Sequence, residues 1–331
     1  MRTEDAAMKT CEFRVWLANL FRLSRGQREQ VEQALGHQPS RPPLEWLEKT
    51  HGGDVGCPRC AADKPYRWGR QAGLQRFRCR QCGHTFTLLS GTPLARLRHK
   101  ERWLTYSEAL LEGVTVREAA RRCGIHKNTS FRWRHRFLRL PAQTKAERLQ
   151  GIAEADETYF PYSCKGQRHL GRPPRKRGHA LHARGTGPEQ VPVLIVRDRS
   201  GATADFKLTA ANTAEIEPPL RAVLAHDAIL CSDGASVYRA VAQHLHITHR
   251  PINLSAGIRV IAGVYHVQNV NAYDSRLKGW MARFHGVATK YLANYLGWRR
   301  WLERWGQHNS PQIGMYAAFG WESRFQLLTQ T

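Results

Sequence analysis

Two cysteine pairs constrain this chain more tightly than any other feature. Cys57-Pro-Arg-Cys60 and Cys79-Arg-Gln-Cys82 stand eighteen residues apart. A Cys-x-x-Cys turn brings two thiolates to one side of a knuckle. Two knuckles offer four soft donors to one tetrahedral ion, which suits Zn2+. Between them, Tyr66-Arg-Trp-Gly69 and Gln75-Arg-Phe-Arg-Cys79 read as short strands, and Phe86 follows. Residues 46–98 therefore read as a zinc ribbon. Four cysteines close the coordination shell, so the ion is expected to be structural, and His84 reads as a turn residue, not a fifth ligand. The other cysteines (Cys11, Cys123, Cys164, Cys231) are scattered, unlike a secreted disulfide scaffold.

Charge is the second constraint. Fifty-one Lys and Arg against 27 Asp and Glu give a net +24 over 331 residues. Such a surface attracts nucleic acid or an anionic membrane. No apolar run approaches the roughly 18 residues of a membrane span. The first residues carry Glu4 and Asp5 with no apolar leader behind them. Nucleic acid is thus the expected partner, without a membrane, and the expected location is the cytoplasm.

The pattern divides the chain. Residues 1–45 read as an N-terminal helical segment and linker. Phe13, Trp16, Leu17 and Leu20 recur at helical spacing within 12–35, and the prolines of 37–43 mark the linker. Residues 99–145 read as a helix-turn-helix. Thr115 caps a helix with Val116, Ala119, Ala120 and Cys123 on one face, Gly124 makes the turn, and a second helix runs from Lys127 to Phe137. Phe131 and Phe137 are expected inside, and Arg132, Arg134 and Arg136 outside, facing DNA. From 121 to 139 there are seven basic residues and no acid. A helical hairpin with a solvated basic face would show the same pattern.

From about 150 strands alternate with helices. Strands are expected over 152–160, 191–196, 204–209 and 228–231. Helices are expected over 212–225, or only from Pro218-Pro219, and over 237–246, with one or two long helices in 270–296. This is the order of a ribonuclease-H-like core, placed over 150–300. The fold class is α/β: a ribonuclease-H-like core preceded by a zinc ribbon and a helix-turn-helix. A basic insertion, 161–190, holds seven Lys and Arg. Within it Arg172, Arg175, Lys176 and Arg177 read either as a minor-groove hook or as a solvated loop. The tail 301–331 carries no functional reading, and Trp298, Trp301 and Trp305 read as core or dimer contacts.

Two aspartates stand out against the basic background. Asp156 lies in Ala-Glu-Ala-Asp-Glu-Thr-Tyr-Phe, and Asp233 follows an apolar strand in Cys-Ser-Asp-Gly. Phosphodiester transfer with two metal ions needs oxygen ligands holding cations about 3.5–4 Å apart, and Mg2+ takes few protein carboxylates. Asp156, Asp233 and one further oxygen on a late helix would meet that need. Glu154 shares the strand face of Asp156 while Glu157 points away; both are weaker ligand candidates.

The late segment His266-Val-Gln-Asn-Val-Asn-Ala-Tyr-Asp-Ser-Arg-Leu-Lys278 resembles the catalytic-helix segment of the zinc-ribbon bacterial insertion-sequence transposases, the group numbered fifteen-ninety-five. The segments 155–160, 232–234, 133–136 and 284–296 resemble that family in the same order, so the similarity spans about 50–297. It implies a DNA transposase using Mg2+ or Mn2+, two ions expected, that cleaves and joins strands at insertion-sequence ends. It also implies a homo-oligomer in the synaptic complex and a prokaryotic, nucleoid-associated setting. Carried over by position, the family's two aspartates fall on Asp156 and Asp233. Its third ligand falls on Asn271, a neutral carbonyl donor. Asp274, one turn on, is a rival. Lys278 faces the same way and reads as a phosphate contact or a surface lysine; His266 reads as a DNA contact or a local cap. The neutral third position keeps open a non-catalytic DNA-binding protein that retains only the ribbon and helix-turn-helix.

Overall fold

The computed structural model describes residues 55–171, 189–306 and 310–321, together with 12, 47, 48 and 187. All but residue 12 of the expected N-terminal helix, the linker and the four basic residues Arg172, Arg175, Lys176 and Arg177 lie outside the described residues. The chain forms two compact units that divide between Leu88 and Leu89, ten residues before the boundary expected for the ribbon.

In the first unit, strands β1 (Tyr66–Gln71), β2 (Leu74–Arg78) and β3 (Thr85–Thr87) form an antiparallel sheet. Its core holds Phe77 and Phe86, with ring centroids 5.8 Å apart, against Cys57 and Cys79. A core this small does not hold a fold without a cross-link.

The second unit opens with helices α1 (Trp103–Leu111), α2 (Val116–Arg122) and α3 (Lys127–Phe137). The Thr115 hydroxyl accepts from Glu118 N and starts α2; His126 Nδ1 accepts from Asn128 N and starts α3. Trp103, Tyr106, Trp133 and Phe137 pack against one another at centroid distances of 5.2–6.5 Å. Two expectations for α3 are corrected. Arg134 does not face out. It is fully buried, donates to the Val114 carbonyl at 2.7 Å and lies 4.8 Å from the Trp298 ring. Phe131 is 40% exposed and meets His135 and Tyr291 edge-on. Residues two apart on a helix lie on opposite faces and residues four apart on the same one, so alternation in sequence could keep Arg132 and Arg136 outside but not Arg134 as well.

Next come β4 (Ile152–Pro161), β5 (Gln190–Asp198) and β6 (Thr203–Lys207), then α4 (Thr213–Val223), β7 (Ile229–Ser232), α5 (Ser236–Leu245) and β8 (Thr248–Pro251). Helices α6 (Gln268–Ala282), α7 (Leu292–Trp305) and α8 (Pro311–Phe319) follow. The sheet order is β6-β5-β4-β7-β8. The first three strands are antiparallel, and β7 and β8 run parallel to β4 and to each other. This is the ribonuclease-H-like topology. The apolar run of β5 is buried almost throughout, as suits a strand covered on both faces.

Helix α4 takes the longer of its two expected spans: it starts at Thr213, because the Asn212 side chain accepts from Glu215 N, and Pro218 and Pro219 lie inside it. Two local expectations change. The fifth strand, Thr248-His-Arg-Pro251, was not foreseen, since an exposed edge strand needs no apolar alternation. The boundary expected at residue 300 falls inside α7. There Arg300 is buried, pairs with Asp205 of β6 and donates to the carbonyls of Pro141 and Thr144. One turn earlier, a Cβ at Gly297 would stand 2.4 Å from Ala142 Cα, so only glycine lets α7 approach this closely. Trp298 and Trp301 are core residues. Nor is all of the tail peripheral: Ile313–Phe319 of α8 is buried, and the Ser107 hydroxyl of α1 donates to the Pro311 carbonyl at 2.8 Å. Among the described residues no helix is long and apolar enough to cross a membrane.

Candidate metal centre and nucleic-acid interface

The central strand and its parallel neighbour set the first two acids. Glu154 of β4 is in register with Cys231 of β7. Two residues further along each chain come Asp156 and Asp233, so both emerge at the same end of the sheet. The buried Ser232 hydroxyl hydrogen-bonds His249 Nε2 of β8 at 2.9 Å and fixes the end of β7. Gly234 follows at φ 87°, a left-handed conformation that turns the chain sharply after Asp233. Asp233 is exposed, and its Oδ1 accepts from Ala235 N at 3.0 Å. Asp156 is half-buried, and its Oδ1 accepts from Glu157 N at 2.9 Å. Burial pushes the Asp156 carboxyl up to about 6; the charge of Asp233 adds to this, while the Glu157 N–H and Lys278 oppose it. Burial likewise lifts Glu157 to about 7, with Asp156 and Asp233 pushing the same way.

Helix α6 closes the site, and Glu154 holds it there. This carboxylate is fully buried. Its Oε2 accepts from Asn269 N at 2.8 Å and Val270 N at 3.0 Å, the free donors of the first turn of α6. Its Oε1 pairs with Arg199, whose Nη2 donates to the Val264 carbonyl at 2.7 Å. His266 Nδ1 lies 3.4 Å from the same oxygen and accepts from Gln268 N at 3.3 Å, so His266 is a local cap. Glu154 is therefore spent on positioning: it ties the strand of Asp156 to the helix of Asn271. Sequence reading placed Glu154 on the correct face but missed this role. The signal available was a carboxylate two residues before Asp156, with no basic residue on its own strand to pair with it.

Asn271 stands one turn into α6, half-buried. Asp274, three residues on, is 7% exposed, and its Oδ1 has no hydrogen-bond partner. Burial lifts its carboxyl to about 7, the charge of Asp156 adds to this, and Lys278 opposes it. The positive charge of Lys278, one turn beyond Asp274, opposes both of these shifts, while Asp233 adds to that of Asp156. Asn271 lies on the same helix, one turn before Asp274.

The cysteine site differs in being compact. Its sulfurs lie 3.5–3.6 Å apart for three of the pairs and all within 4.8 Å. Zn–S bonds of about 2.3 Å in a tetrahedron put sulfurs roughly 3.8 Å apart, so the donor set fits the ion. The Cys82 N–H points at Cys79 Sγ and pulls that thiol down to about 6. Among the described residues it is the only group of His, Cys, Asp or Glu donors that converges so closely.

A basic groove of about 810 Å3 lies along α3. Arg96, Arg98, Arg132, Arg136 and Arg139 line it together with Tyr291, and no carboxylate does. Arg132 and Arg136 are exposed there, as expected. The stem of the basic insertion is fastened to the segment that leads into Tyr291: Lys165 Nζ donates to the Gly286 carbonyl at 2.8 Å, and Thr289 N to the Ser163 carbonyl at 2.9 Å.

Comparison with known proteins matches this organisation. Residues 53–83 match the InsA N-terminal domain, a zinc ribbon, and 96–153 a homeodomain-like helix-turn-helix. Residues 148–302 match the ISXO2-like transposase domain. An uncharacterized protein in transposable element ISH50 of Halobacterium salinarum is 26% identical over 249 residues, covering 73% of this chain and 83% of that protein. The Mos1 pre-cleavage transpososome aligns over 97% of each chain at 13% identity with a TM-score of 0.27, and the Mos1 strand transfer complex at 12% and 0.26; a likeness this slight says nothing of mechanism. Ribbon, helix-turn-helix and transposase domain in this order define an insertion-sequence transposase. Residues 148–302 are thus similar to the ISXO2-like transposase domain, in keeping with the zinc-ribbon group that the motifs resemble.

Proposed function

We propose that this transposase cleaves DNA at insertion-sequence ends and joins the freed strand to target DNA, with Asp156, Asp233 and Asn271 as oxygen ligands for two divalent cations, Mg2+ or Mn2+. The observation that carries the reading is the emergence of Asp156 and Asp233 from neighbouring parallel strands, facing a helix anchored by Glu154. Burial and the charge of Asp233 make Asp156 costly to ionise without a cation, which fits a cation-binding role. Bound there, such ions supply the charge that activates an attacking oxygen and stabilises a leaving one. Asp156 and Asp233 hold fixed positions through backbone N–H contacts. Asn271 contributes a neutral oxygen, and Lys278 stands where a phosphate would meet it. Water is the nucleophile at the element end, and the released 3′-hydroxyl is the nucleophile on target DNA.

In this reading the arginines lining the α3 groove, Arg132 and Arg136 among them, hold the terminal inverted repeats. The basic insertion with Arg172, Arg175, Lys176 and Arg177 adds backbone contacts. Two ends require at least two protomers in the synaptic complex. In this reading the zinc ribbon ends at Leu88, the helix-turn-helix spans 99–145, and the catalytic domain runs from 150 through α7 to Trp305. A strand-transfer assay with labelled terminal repeat and Mg2+ or Mn2+ tests the reading. Joined product is expected with wild type and is lost in Asp156→Asn and Asp233→Asn. Wild type inactive with both metals would leave a DNA-binding protein without chemistry.

A further inference from the structure

Helix α6 carries one carboxylate that the proposed ligand set leaves out. Among the described residues Glu154, Asp198, Asp205 and Asp274 are the buried carboxylates. Three are satisfied. Glu154 has two backbone donors and Arg199. Asp198 accepts from Ser200 N, the Ser200 hydroxyl and Ala202 N. Asp205 pairs with Arg300. Asp274 alone keeps an oxygen, Oδ1, shut away from solvent with no donor at all. A buried carboxylate left without partners costs several kcal/mol, and such groups persist where something else meets them.

What faces this oxygen is informative. Asp274 feels the negative charge of Asp156 and the positive charge of Lys278, its neighbour four residues on. It lies one turn beyond Asn271, on the same side of the helix. No basic side chain forms an ion pair with it among the described residues. A structural aspartate in this place would be expected to find a donor; a cation ligand would not. We propose that Asp274 is a metal-ligating carboxylate of this centre, supplying the negative charge that Asn271 does not.

This assignment rests on the site read above and extends it. The acidic carboxylates do not converge within 4.8 Å as the cysteines do. A two-ion centre has no need of that convergence, because ligands of different ions are separated by the spacing of the ions, about 3.5–4 Å.

The test is Mn2+ uptake by the full-length, zinc-loaded protein, measured by calorimetry and by the loss of the free-ion paramagnetic resonance signal. Asp274→Asn keeps the shape of the side chain and should weaken Mn2+ binding by about tenfold or more. Asp274→Leu should weaken it as far while leaving the metal-free protein folded with an equal or higher melting temperature, because an unpaired buried polar group is gone. Moving the charge one turn back, in Asn271→Asp with Asp274→Asn, should restore binding. Asp274→Asn with wild-type Mn2+ affinity, while Asp156→Asn loses it, overturns the Asp274 assignment and spares the site. Wild type that takes up no Mn2+ overturns both.

Discussion

The two centres of this molecule solve opposite problems with charge. The ribbon brings four cysteine sulfurs within 4.8 Å from two short loops. The end of the central strands draws its acids from β4, the turn after β7 and α6, and leaves them spread, partly exposed and, at Asp274, with one oxygen unpartnered. A closed shell of soft donors serves folding. An open array of hard donors has room for cations, water and a phosphate at once. The comparison also explains how each is held. The ribbon's ligands are fastened by N–H···S contacts within their own turns, such as Cys82 N to Cys79 at 3.4 Å. Asp156 and Asp233 accept only from N–H groups of their own turns, while the helix that faces them is fastened by long-range contacts, above all Glu154 to Asn269 and Val270.

The contrast breaks most sharply on metal removal. Chelating zinc, or Cys79→Ser, should unfold the ribbon. Structural zinc is worth about 10–16 kcal/mol in small domains, and the Phe77–Phe86 core cannot replace it. Loss of ribbon amide dispersion in NMR, with the cooperative melt of the larger unit kept, is the expected result. The next largest effect belongs to Glu154. Glu154→Ala leaves Arg199 unpaired and the first turn of α6 uncapped, at about 3–5 kcal/mol, read by urea denaturation. Strand transfer should fall as well, since Asn271 and Asp274 ride on that helix.

A third effect depends on pH. Asp156, Asp274 and Glu157 have folded-state values near 6, 7 and 7, above their ordinary range near 4. A carboxyl raised on folding binds its proton more tightly in the native state. The stability it lends is therefore fully present below pH 4 and lost as pH rises through 4 to 7. The metal-free protein should lose roughly 2–4 kcal/mol across this window from Asp274 alone, less in Asp274→Asn, and saturating Mg2+ should flatten the slope. Smallest is Thr115→Ala, the loss of one helix cap, at about 1 kcal/mol. A larger loss, measured by thermal melting, would mean the helix-turn-helix is less independent of the acidic edge than its local capping suggests.

Legibility followed locality. The Cys-x-x-Cys pairs, the helix Lys127–Phe137 and the apolar strands β4 and β5 are written in neighbouring residues, and they fall where spacing placed them. Asp156 and Asp233 were visible as acids at strand ends in a basic chain. What escaped depends on partners remote in sequence. Arg134 is buried because Trp298 and Val114 receive it. The edge strand Thr248–Pro251 exists because β7 offers it a parallel ladder. Helix α8 shows no apolar stripe because it is buried on every side. The burial of Asp274 could not be read from a polar-looking Tyr-Asp-Ser.

The Ser107–Pro311 hydrogen bond joins positions 204 residues apart. During synthesis, helix α1 leaves the ribosome long before the segment that covers it has been translated. The part of its surface that α8 covers must wait until α8 has emerged. Completion of the second unit is therefore a late event in the life of each molecule, and its speed is governed by closing that long span.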